Sequence, residues 1–120
     1  MGPLLTVEQA RLHLDALRPV LAEFVCLRAD AAELQAALQG GPVTELGGMA
    51  ELKAAQARLD ELASTVSAEP VELKGIAPLL LDFPVLLDGE PALLCWLEGD
   101  TDLAWWHRPD LGFLGRRPLP

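Results

Sequence analysis

The sequence predicts an α+β fold within a single domain of residues 1–120: a long antiparallel helical hairpin over residues 6–68, then a small three- or four-stranded antiparallel sheet and a C-terminal tail over residues 69–120. Three observations predict it. From Ala10 to Val66 apolar residues recur every three or four positions, the spacing of one helix face. After Glu69-Pro70 that period is lost, and short apolar runs alternate with turn residues. Between the two helical stretches stands "QGGPVT", a connection short enough to make the helices antiparallel neighbours.

The first helix begins at Thr6, whose hydroxyl and the Gln9 side chain form a T-x-x-Q capping box. Its seam is Ala10, His13, Leu17, Val20, Phe24, Leu27, Ala31, Leu34 and Leu38, at coiled-coil spacing, widened by Leu14, Leu21 and Val25. Pro19 removes one backbone bond and predicts a kink near residues 15–19. Gly40 and Gly41 supply the left-handed cap and Pro42 blocks continuation. A second helix starts between Thr44 and Met49 and ends near Ser67, with a seam of Met49, Leu52, Gln56, Leu59, Ala63 and Val66 beside Ala55 and Leu62. His13 and Gln56 read as polar residues that set the register of the seam, and Cys26 as a surface thiol among acidic residues.

"VELKG", "LLLDFPVLL", "PALLCWL" and "DLAWWH" read as strands. Asp88-Gly89 is a two-residue type I′ turn signal, so Leu87 faces Glu90 and Asp82 faces Cys95. An even-length reversal at "EGDT" then puts Ala104 and Trp106 on the Asp82/Cys95 face. It leaves Phe83, Trp96, Trp105 and His107 on the other face. Both faces are apolar, so the one that the helices leave bare needs a second cover. A second copy of the chain across a two-fold axis supplies it, or else "DLGFLGRRPLP" folds back as a lid.

The formal charge of -9 argues against nucleic acid, whose affinity comes from phosphate neutralisation by basic groups. No apolar run is long enough for a membrane span and the start lacks a secretory pattern, so a soluble cytoplasmic protein with reduced thiols is expected. Gly2 and Thr6 fit the loose myristoylation pattern, but Pro3 fits it poorly and Thr6 serves better as the cap.

The candidates for chemistry are Asp82, Cys95, Asp100, His107, Asp110 and Arg116. Cys95 with His107 as base and Asp82 as orienting carboxylate would form a catalytic thiolate, although the strand parity above separates His107 from the other two. His107, Asp110 and Asp82, with Cys95, suit zinc by donor type but show no tight ligand spacing. Trp96, Trp106 and Arg116 are the candidate ligand-binding residues. Asp82 inside "LLLDFPVLL" needs a partner if buried, and His107, Arg108, Arg116 or an indole could serve. In the structural reading an Asp82–Arg116 pair pins the tail to the sheet.

The residues "VELKG", "LLDFPVLLDGE", "LCWLEGD" and "WWHRPDLGFLGR" resemble an uncharacterised bacterial family, domain of unknown function 2203. Its pattern falls on Asp82, Phe83, Pro84, Cys95, Trp96, Gly99, Trp106, His107, Gly112, Phe113 and Arg116. Asp100 stands where that pattern usually has Glu, and this chain has no Tyr. The resemblance implies a helical front half and a shared surface, and brings no activity with it.

The sequence therefore leans away from an enzyme. It points first to a non-catalytic, homo-oligomeric interaction or scaffold module without a cofactor. Such a module forms a homodimer or binds a protein partner through the helical seam. The alternative is a small-ligand or metal-dependent enzyme with a pocket near Asp82, Trp96, Trp106, His107 and Arg116. A third reading is thiol-dependent redox chemistry at Cys95.

Overall fold

The structure, a computed structural model, describes residues 4–40, 43–44 and 47–120. It is α+β. Helix α1 (Val7–Leu38) is followed by two-residue strands β1 (Val43–Thr44) and β2 (Gly47–Gly48), then helix α2 (Met49–Ser67). Strands β3 (Glu72–Ile76), β4 (Leu79–Leu87), β5 (Glu90–Leu97), β6 (Trp105–His107) and β7 (Arg117–Pro118) come next, with a 3-10 turn at Phe113–Gly115 before β7. Among the described residues β3 to β7 form one antiparallel sheet in sequence order, so the tail adds a fifth strand to the three or four expected.

The chain divides into two compact units, Met1–Leu17 with Val66–Pro120, and Arg18–Thr65. Residues of α1 belong to both. In the Arg18–Thr65 unit the helices are antiparallel: Ala31 and Leu34 cluster with Leu52 and Ala55, and Arg58 holds Glu23 through two bonds of 2.8 and 3.0 Å. The helix α1 is continuous through Pro19. In α2 Leu52, Ala55, Leu62 and Val66 are buried while Met49 and Gln56 are exposed, which removes Gln56 from the seam. The reason is that Ala55 and Leu62 flank the expected seam on one side, and the apolar face centres between them. Gly41 and Pro42, expected to stop α1, lie outside the described residues, as do Gly2 and Pro3 of the myristoylation pattern.

The other unit begins with the capping box, Thr6 N–H donating to Gln9 Oε1 at 2.9 Å and Gln9 N–H to Thr6 Oγ1 at 3.0 Å. Leu5 exchanges backbone bonds with Pro84 O and Leu86 N–H, so the start of α1 is tied to β4. The Asp88-Gly89 turn forms as expected, with φ of 50 and 79, and pairs Leu87 with Glu90 and Asp82 with Cys95. One sheet face carries Leu79, Leu81, Phe83, Val85, Ala92 and Leu94, all buried. Ala10, Leu14 and Leu17 of α1 and Val66 of α2 are buried in the same unit.

The opposite face carries Asp82, Pro84, Leu93 and Cys95, also buried, and the tail folds over it. Leu111, Gly112 and Phe113 line a cleft together with Leu80, Asp82 and Leu93. The tail thus lies against this face, as in the lid alternative.

Candidate functional site

The β5–β6 connection spans residues 98–104, an odd number, where the sequence reading took an even-length reversal. The observed pairs are therefore Cys95 with Trp105 and Leu93 with His107. One residue of loop length inverts the facing of every side chain on a strand. His107 and Trp105 consequently share the face of Asp82 and Cys95, and Trp106 and Trp96 occupy the other. The expected separation of His107 from the Asp82/Cys95 pair is overturned.

Strand β5 lies between β4 and β6. From either side of it Asp82 and His107 meet, His107 Nε2 standing 3.1 Å from Asp82 Oδ1. Their side chains are 6% and 3% exposed, and Cys95 between them is fully buried. The ligand atoms of all three residues lie within 4.8 Å of one another, and among the described residues this is the group with donors suited to a metal ion.

The second imidazole nitrogen decides the chemistry. His107 Nδ1 lies 2.9 Å from the Arg108 carbonyl oxygen, which can only accept, so Nδ1 carries the hydrogen. Nε2 then meets a carboxylate oxygen with its lone pair unless something positive stands between them, either a proton or a metal cation. An imidazole held through Nδ1–H by a carbonyl, with Nε2 free to coordinate, is the arrangement that orients metal-binding histidines. Two ligand atoms on a tetrahedral zinc with bonds of about 2.0 Å lie about 3.3 Å apart, close to the observed separation.

Burial and, next, the Asp82 charge push the Cys95 thiol up to about 11, with Arg116 offsetting part of that shift. Without a metal, Cys95 at neutral pH is a protonated thiol and a poor nucleophile. The remaining candidates lie around this cluster. Arg116 donates to Asp100 at 3.0 Å, so the expected Asp82–Arg116 pair is replaced by Asp100–Arg116, while Asp82 takes His107. Asp100 is near because it closes the end of β5, accepting the Leu97 N–H at 2.9 Å. Arg116 also stacks over Trp105 and Phe113, 4.5 and 4.8 Å from their ring centroids. Asp110 is exposed and held by two bonds from Arg108, at 3.1 and 3.0 Å.

Trp96 is buried on the far face with its indole donating to the Asp100 carbonyl, and Trp106 lines a different groove with Ala92 and Pro91. The structure thus brings together Asp82, Cys95 and His107, sets Arg116 beside them, and separates the two tryptophans from them. The cleft over the cluster, 380 Å³, is lined by Asp82 and His107, by the apolar Leu80, Leu93 and Phe113, and by Lys74. Lys74 and the Arg108 carbonyl were not among the sequence candidates. The requirement that a buried Asp82 find a partner was the one sequence signal for a register that brings His107 to it.

A family model described as "Uncharacterized conserved protein (DUF2203)" matches residues 4–119. No curated protein and no solved structure matches the chain. No described helix is long and apolar enough to cross a membrane.

Proposed function

The chain belongs to the uncharacterised conserved family DUF2203, and we propose that it is a metal-dependent protein acting on a small ligand, with Asp82, Cys95 and His107 as the metal ligands. The carrying observation is the Asp82–His107 contact with Nδ1 already committed to a carbonyl. Sulfur, imidazole and carboxylate together favour zinc among common ions. Three protein ligands leave a fourth position, and the cleft lined by Asp82 and His107 is where a water or ligand oxygen would enter. There the ion would act as a Lewis acid toward an oxygen ligand.

The test is zinc titration by calorimetry of chelator-stripped protein, with metal content measured in parallel. One zinc per chain is expected. Loss of an outer partner alone costs a metal site about tenfold to a hundredfold in affinity, so His107→Ala is expected to lose at least about a hundredfold. A folded parent protein that takes up no stoichiometric zinc overturns the proposal.

A second reading, a homodimer or scaffold, draws support from the large apolar side chains left exposed, Leu12, Ile76, Leu86, Leu111 and Leu114.

A further inference from the structure

We propose that the ligand of this site is a small carboxylate with an apolar body, bound with its carboxylate on the metal and beside Lys74. This rests on the metal reading and extends it to a substrate class. The cleft lies within one unit, and the residues that line it bear on what it accepts.

Charge comes first. A divalent ion with the Asp82 carboxylate and a Cys95 thiolate is neutral as a group. Asp110 is neutralised by Arg108, whose guanidinium holds both carboxylate oxygens. Lys74 stands on the cleft wall in a loose, half-exposed ion pair, its ammonium 3.7 Å from Glu72 Oε1. That contact is longer than a hydrogen bond, so the ammonium can turn toward a ligand in the cleft. The site therefore favours one negative charge, which a carboxylate carries, over the two of a phosphate monoester.

The apolar walls come second. Leu80, Leu93, Leu111 and Phe113 face the same space, and a volume of 380 Å³ admits a ligand of roughly the size of an aromatic acid. A carboxylate oxygen would fill the open coordination position while the body lies against these side chains. The tail thus supplies part of the binding wall as well as the cover of the sheet.

The experiment uses full-length protein loaded with cobalt in place of zinc, so that the visible absorption of the ion reports its coordination. The probes are benzoate, its neutral isostere benzamide, and phenyl phosphate. Benzoate is expected to shift the cobalt spectrum saturably, with benzamide weaker by at least about tenfold, since hydrogen bonds and contacts of charged groups exceed neutral ones. Lys74→Ala is expected to weaken benzoate by about two- to fivefold, the upper range of a partly exposed ion pair, with the metal stoichiometry unchanged. Equal binding of benzamide and benzoate overturns the inference, and so does tighter binding of phenyl phosphate. Unchanged benzoate affinity in Lys74→Ala removes the role of that residue and overturns the inference as stated. In each of these cases the metal reading stands. A chain that takes up neither cobalt nor zinc fails earlier and removes both.

Discussion

Asp82 sits in the middle of an apolar strand and is 4% exposed, a position where an unpaired carboxylate would cost several kcal/mol. The need for a partner was legible from "LLLDFPVLL" alone, and the identity of the partner was not, since His107, Arg108, Arg116 or an indole could have met it. Cys95, directly opposite, was legible as a buried thiol, and its environment makes a prediction at the same scale. In the unfolded chain the thiol titrates near its ordinary value of about 9, and in the folded protein at about 11. The folded state holds the proton longer, so this contribution to stability is fully present below about pH 9. It is lost as the pH rises to about 11, where the loss levels off. Urea unfolding of chelator-treated protein at several pH values should show a decline of about 2 to 3 kcal/mol in excess of that in Cys95→Ala. Parallel declines in the two proteins would contradict the assignment.

Single elements followed from local sequence where the cause was local. The capping box, the limits of β4, and the Asp88-Gly89 hairpin each depend on a few neighbouring residues, and each forms as read. The β5–β6 connection did not follow, because its length is set by Leu103, which is buried, and by Asp100, which ties back to Leu97. Leu103 lies outside the four residues "EGDT" taken for the turn, and Asp100 is the third of them. Asp100 holds β5 and the tail at once, so removing it releases two bonds. Asp100→Ala is expected to cost about 2 to 3 kcal/mol, because the partly buried Arg116 is left without its carboxylate. Chemical denaturation measures this, and a cost under about 0.5 kcal/mol would place Asp100 among ordinary surface residues. The centre of the α2 face was also missed, by the width of one flanking residue, because two candidate stripes of similar apolarity run along that helix.

At the scale of the whole molecule the doubly apolar sheet was read correctly as needing two covers. The tail of the same chain places Phe113 over the Asp82 face and Arg116 against Trp105. Any self-association therefore has to use the side chains that remain outside, of which Leu114, 98% exposed, is the largest departure from a wetted surface. Sedimentation equilibrium at micromolar concentration tests the homodimer reading. A dimer that Leu114→Glu converts to monomer supports it, and a parent protein that is already monomeric removes it. The acidic balance of -9 opposes close approach of copies at low salt, so the measurement is made at about 0.15 M, where the screening length is about 8 Å.

By itself the sequence determined the kinds of element, their order, the first hairpin register and the residues that had to be buried, because apolar period, caps and two-residue turns act over a few positions. Only the tertiary structure decided which of those buried residues meet. The parity of one seven-residue connection, residues 98–104, placed His107 beside Asp82 instead of behind it, and the path of the tail decided what closes the cleft. The path of the tail is settled by contacts between residues far apart in the chain, to which a local pattern is blind, and the parity of the connection by a single residue of loop length.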